Sequence, residues 1–137
     1  MSEGTGFAPG QIYPQIRKKI QVNKDLLSLV IQLRKHYKVG LITNYTYGLF
    51  DVLSKELDLP RYFDKILVSS RVGFIKPDPR FYQMMFDALH VATQEIVYID
   101  DRDYQVEAAK KLGMKAILYQ NAEQLEKDLI ESGIKTR

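Results

Sequence analysis

IVYIDDRDYQVEAAKKLGMKAI, residues 96–117, decides how this chain folds. Ile96-Val97-Tyr98-Ile99 is an apolar run too short for a helix and too apolar for a strand with a wet face, so it reads as a buried strand. It ends abruptly at Asp100-Asp101. A helix is expected over about Gln105 to Leu112, where Gly113 stops it, and Lys115 to Tyr119 reads as the next strand. Strand, helix and strand in so few residues are the parts of a parallel crossover unit.

The same alternation extends in both directions. Downstream, a last helix is expected over Ala122 to Ser132, stopped by Gly133. Upstream, Asp78 with Pro79 marks a helix start, and the helix should run from Arg80 to His90, burying Phe81, Met84, Met85 and Leu89. Before it lie a loop through Gly73 to Lys76-Pro77-Asp78-Pro79 and a buried strand at Lys65 to Val68. Further back stand a helix over Tyr47 to Leu57 and a strand at Val39 to Ile42 that stops at Thr43-Asn44. Asn23 caps a first helix whose Leu26, Val30, Leu33 and Tyr37 recur at helical spacing, ending at Arg34-Lys35-His36. Strands this apolar with short connections predict an α/β fold, a parallel sheet with helices on both faces. Residues 1–22 hold three of the eight glycines and two of the five prolines, and are expected to form a loose leader ahead of one domain over 23–137.

Composition narrows the function classes. Twenty basic and 17 acidic residues are scattered along the 137, so the net charge of +3 describes no basic face and gives nucleic-acid binding no support. There is no cysteine, which removes disulfides, thiolate metal sites and thiol catalysis. No apolar run approaches the roughly 20 residues that span a bilayer, and no signal-peptide core is present. A soluble cytoplasmic protein without membrane partners is the expectation.

In open parallel sheets, ligands bind beyond the carboxyl ends of the strands. Three such ends carry polar residues: Thr43-Asn44, Lys76 in the loop after the second strand, and Asp100-Asp101. A hydroxyl, an amide, a fixed positive charge and two carboxylates can hold a phosphoryl group beside a divalent cation. Adjacent carboxylates repel unless positive charge sits near them, and a magnesium ion would supply it. The bland alternatives stay open at this point. Asp100 or Asp101 can cap the following helix or pair with Arg102, Lys76 can be merely solvated, and Thr43-Asn44 can be a helix cap.

Taken in order, VGLITN (39–44), GFIKPDPRFYQ (73–83) and IVYIDDRDYQVEAAKKLGMKAI (96–117) resemble the second, third and fourth motifs of haloacid dehalogenase-superfamily hydrolases. The likeness runs from about Gln21 to Gly133 and implies a three-layer, Rossmann-like core. It also implies roles. Thr43 corresponds to the hydroxyl that binds the transferring phosphoryl group, with Asn44 orienting substrate. Lys76 steadies the phosphoryl group. Asp101 is a direct magnesium ligand, with Asp100 acting directly or through a water. The aspartate pair points to the magnesium-dependent phosphatase branch acting on a small phosphorylated metabolite, while the KPDPRFYQ wording leans towards the dehalogenases.

The family's first motif, a strand ending in Asp-x-Asp, has no counterpart before Thr43, where Asp25 is the only aspartate. Asp101-Arg102-Asp103 has that spacing, but its place in the order makes it the fourth motif. Both the nucleophile and the acid–base carboxylate are therefore missing from these residues, and the isolated chain is expected to be nearly inert. The absent strand is central in the family's sheet. Its loss predicts that another copy or a complementing chain supplies it, that the leader fills the gap, or that the neighbouring strands close up. The leader's Ile12-to-Ile20 stretch is then the tail of a helical cap. A non-catalytic module that keeps a phosphate and magnesium site is the competing reading. A receiver-type signalling domain is set aside because its acid pair comes first in the chain and its lysine last.

Overall fold

A computed structural model of the chain describes residues 24–45 and 48–137. Expectations for residues 1–23, including the leader, the cap remnant and the Asn23 cap, lie outside the described residues. So does the predicted helix start at Tyr47. The elements in chain order are α1 (Lys24–Arg34), β1 (Gly40–Thr43), α2 (Leu49–Leu57), β2 (Lys65–Val68), α3 (Ser69–Val72), α4 (Pro79–Leu89), β3 (Val97–Asp100), α5 (Asp103–Lys111), β4 (Lys115–Leu118) and α6 (Ala122–Glu131). Strand and helix alternate as the pattern predicted, with α3 as an added single turn.

Helix boundaries follow the local chemistry. Asp78 accepts a hydrogen bond from the Arg80 N–H and caps α4, with Pro79 in the first turn. Asn121 and Gln124 form a reciprocal capping box at the start of α6. Gly133, at φ +83°, takes the left-handed conformation just beyond α6. Helix α1 ends at Arg34, short of Tyr37, and the Tyr37 hydroxyl instead accepts from the Lys135 N–H at 3.0 Å. Arg34 and Asp64 pair at 3.1 Å, and Asp64 also accepts from the Val39 N–H at 2.7 Å, so one carboxylate fixes the entry to β1 beside the start of β2.

All the strand pairing observed is parallel. Register runs from Gly40 opposite Lys65 to Thr43 opposite Val68, and from Val97 opposite Lys115 to Asp100 opposite Leu118. Pairing thus reaches one residue further than the apolar runs suggested and takes Thr43 and Asp100 into the strands. Among the described residues the strands form two separate two-stranded sheets, β1–β2 and β3–β4. Direct closure of β1 on β3 is therefore not the arrangement there. Packing nevertheless unites the pairs: Ile42 of β1 and Tyr98 of β3 share one cluster with Phe81, Tyr82, Met85 and Phe86 of α4. Leu26, Leu29 and Leu33 of α1 and Leu125 and Leu129 of α6 form another, against Val39, Val97, Ile99 and Ile117. Helices cover these strands from both sides, which gives the three layers expected and leaves the carboxyl ends of β1 and β3 together.

Candidate functional site

Lys76 is the hub of the site. Its side chain and that of Asp100 are both fully buried, and Lys76 Nζ lies 3.2 Å from Asp100 Oδ2. A long flexible cation is thereby carried from the loop after β2 to the end of β3. The loop itself is clamped: Asn44 Oδ1 accepts from the Lys76 N–H at 2.8 Å, and Asn44 Nδ2 donates to the Lys76 carbonyl at 3.2 Å. This two-point contact joins the segment after β1 to the one after β2. Ser69 Oγ makes a second tie between them, accepting from the Tyr45 N–H at 3.0 Å. The Lys76–Pro77 peptide is cis.

Asp100 is 1% exposed and heavily solvated by the protein itself. Its Oδ1 accepts from the Arg102 N–H at 3.0 Å and its Oδ2 from the Tyr98 hydroxyl as well as from Lys76. The Gln105 carboxamide, with its nitrogen turned inward, donates to Oδ1 at 3.1 Å and to Oδ2 at 2.5 Å. The Asp100 carboxyl lies below the usual carboxylate range: burial pushes it up, and the Lys76 ammonium foremost, with the Tyr98 hydroxyl and the Arg102 N–H among the further causes, pulls it down. It is an anion held by donors. Tyr98 moves the other way: burial first, and then the Asp100 charge, push its phenol far above the ordinary tyrosine range, so it stays a donor.

The five residues singled out from sequence fall as follows. Thr43 is fully buried at the end of β1. Asn44, Lys76 and Asp100 are linked by the contacts above. Asp101, next along the chain, is exposed. Two participants were missed. Tyr98 sits in the middle of an apolar strand, where an aromatic ring reads as core, and Gln105 is a polar residue on a helix. The available signal for Gln105 was its position one and four residues before Val106 and Ala109 on the buried face of α5.

A divalent cation can be tested against this donor set. Magnesium takes one or two carboxylates and fills its octahedron with water and phosphate oxygens. Hard carboxylate oxygens suit it, and exposed Asp101 stands at the strand end where such an ion would meet a phosphate. Both oxygens of Asp100 already accept from N–H and O–H donors, so a direct bond from it would displace one of them, whereas a bridging water would not. No group of three or more histidine, cysteine, aspartate or glutamate side chains suited to a metal occurs among the described residues. What this donor set would offer magnesium is the carboxylate of Asp101, with water and substrate oxygens completing the shell.

Residues 10–119 match the family model for haloacid dehalogenase-like hydrolases. The chain belongs to that family. Mouse bifunctional epoxide hydrolase 2 is 29% identical over 120 residues, covering 84% of this chain and 22% of that protein. Flavin mononucleotide hydrolase 1 of Arabidopsis thaliana is 33% identical over 98 residues, covering 72% of this chain and 40% of that one. The haloacid dehalogenase-like chain thus spans between about a fifth and two fifths of these curated relatives. Among solved structures, a family enzyme of Bacteroides thetaiotaomicron in complex with magnesium and inorganic phosphate superimposes with a TM-score of 0.63 at 22% identity, over 70% of this chain and 52% of that one. At that identity the likeness speaks for the fold. Membership places the Thr43, Lys76 and Asp100-Asp101 strings within a hydrolase core. No helix among the described residues is long and apolar enough to cross a membrane.

Proposed function

We propose that this chain carries the phosphoryl- and magnesium-binding part of a magnesium-dependent phosphatase that acts on a small phosphorylated metabolite. The observation that supports it most is the buried Lys76 ammonium, clamped through Asn44 and set against Asp100 at the carboxyl ends of β1 and β3. A dehydrated cation held there at low dielectric attracts a phosphoryl oxygen far more strongly than a surface lysine would. Thr43 offers a hydroxyl at the same sheet end, and Asn44 fixes the loop that delivers Lys76. Asp101 would hold magnesium, with Asp100 reaching it through a water. When bound, the ion offsets the negative charge of the phosphoryl oxygens.

Proton transfer and nucleophilic attack need carboxylates that residues 1–42 do not contain in the family's spacing. Among the described residues β1 and β3 belong to separate sheets, which fits the same reading. A complementing chain that brought a strand between them would complete the sheet, and an aspartate at the end of that strand would complete the site. Without it the chain is a binding module, and the missing nucleophile favours that as the second reading for the isolated protein.

The test is magnesium-dependent hydrolysis of an aryl phosphate by this chain, with EDTA and Asp101→Asn as controls, alongside calorimetry of magnesium and inorganic phosphate binding. Binding without turnover is expected of the isolated chain. Turnover lost in both controls would show that a nucleophile is present in it. No binding of either ligand would overturn the phosphatase reading.

A further inference from the structure

We propose that the cleft between α1 and α6 binds a linear aliphatic diamine or polyamine, a ligand whose ammonium groups are spaced along methylenes. The cleft measures about 500 Å3, within the range of small-molecule sites. It shares no lining residue with the Lys76–Asp100 site, so this inference does not depend on the phosphatase reading. Asp25 of α1 and Glu123 and Glu126 of α6 line it, with Arg137 as a counter-charge. Among the described residues, none of the three carboxylates, nor the Arg137 guanidinium, enters an ion pair. Asp25 and Glu123 each lie in the first turn of a helix, where the helix dipole alone accounts for an acid. Glu126, a turn further along α6, has no such explanation.

Thr136 is the second, independent sign of a ligand. It lines the cleft, is 5% exposed, and its hydroxyl makes no hydrogen bond among the described residues. The main chain is tied on either side of it: the Lys135 N–H donates to the Tyr37 hydroxyl at 3.0 Å, and His36 Nε2 donates to the Arg137 main-chain oxygen at 3.0 Å. A hydroxyl held in a buried place without a partner is costly, and an ammonium N–H supplies the charge-assisted donor that it lacks. The class of cation follows from the spacing of the acids. No group of three or more acidic side chains suited to one metal ion occurs among the described residues, so these carboxylates do not converge on a single point. Ammonium groups set apart by methylenes can meet them in turn, and the methylenes can rest on the apolar side chain of Leu29, which also lines the cleft.

The test is an NMR amide titration of the full chain with putrescine and with spermidine at low salt. Saturable shifts are expected in the first two turns of α1 and of α6 and at residues 136 and 137, weakening as salt is raised. Thr136→Val keeps the shape and removes the hydroxyl, and should weaken binding roughly tenfold, while Thr136→Ser should bind as wild type does. Glu126→Gln should weaken binding roughly threefold, and Arg137→Gln should strengthen it by a similar factor.

Shifts confined to the cleft, with those signs in the variants, support the proposal. The absence of saturable shifts overturns it, as do shifts centred elsewhere or a Thr136→Val chain that binds like wild type. Equal shifts at equal concentrations of magnesium overturn it too, because they would mark the cleft as a negative surface that gathers any cation. Should Thr136→Val fail to fold, the opposite signs of Glu126→Gln and Arg137→Gln decide, and failure of either sign overturns the proposal.

Discussion

Asp100→Asn removes one charge from a fully buried ion pair while preserving its shape, and its cost can be worked from the geometry. At 3.2 Å and an effective dielectric of about 20, the pair attracts by about 5 kcal/mol. Desolvating both ions offsets much of that in the wild type, so the pair's net worth is small. Asparagine abolishes the attraction and leaves the Lys76 ammonium desolvated. The expected loss is about 3–5 kcal/mol, a large share of the roughly 5–15 kcal/mol that holds a domain folded. The double variant Lys76→Met/Asp100→Asn removes both desolvation costs and should be more stable than the single losses summed, by at least about 2 kcal/mol. Urea unfolding followed by circular dichroism at pH 7 measures all four proteins. The sign of the pH dependence follows from Asp100's lowered pKa. Its stabilisation is fully present above the unfolded carboxylate value of about 3.9 and is lost as pH falls through the lower folded value. The gap between wild type and Asp100→Asn should therefore narrow only below about pH 4. A single-variant loss under about 1 kcal/mol, or losses that simply add in the double variant, would refute the reasoning.

Other perturbations separate site from scaffold. Asp101→Asn, at an exposed position, should leave urea stability within about 0.5 kcal/mol while weakening magnesium binding at least about tenfold by calorimetry. Asn44→Ala removes both hydrogen bonds to the Lys76 backbone and should cost about 1–3 kcal/mol in the same unfolding assay, with weaker phosphate binding as the loop loosens. Leu125→Ala, at a side chain with no exposure between α1 and α6, should cost about 2–5 kcal/mol and leave the affinities for magnesium and phosphate alone.

Where the fold was legible in the sequence, local chemistry set the outcome. Asp78 with Pro79 starts a helix on its own terms, and the apolar runs at residues 66–68 and 96–99 mark strands, although β2, expected to be buried, hides only Val68 fully and leaves Lys65 exposed. The differences come from tertiary context. Helix α4 buries Tyr82 and Phe86 as well as Phe81 and Met85, while Met84 and Leu89, expected in the core, are only half-buried, because the inward face is centred on the pairs 81/82 and 85/86, one helical turn apart. The chain between α2 and β2 turns through Asp58 at φ +52° into a 3-10 turn, and nothing in an Asp-Leu-Pro string demands a left-handed aspartate. Separation of β1–β2 from β3–β4 was foreseeable only as the loss of an intervening strand. Which way the chain would respond depends on hydrogen-bond partners that no local pattern encodes.

The site shows the same division between local and long-range cause. That Asn44, Lys76 and Asp100 meet could be foreseen because topology places polar strand ends together whatever else the sequence does. What those residues do to one another could not. Asn44, first read as a substrate-orienting residue, spends both ends of its amide on the Lys76 backbone. Asp100, read as half of a metal-binding pair, has its oxygens engaged by Lys76, Tyr98, Gln105 and Arg102. Asp100 therefore anchors the lysine, while Asp101 beside it is exposed. Two adjacent, identical residues thus differ by burial. The strand's last residue is turned inward and its charge is met by the protein's own donors, which is what a buried carboxylate requires.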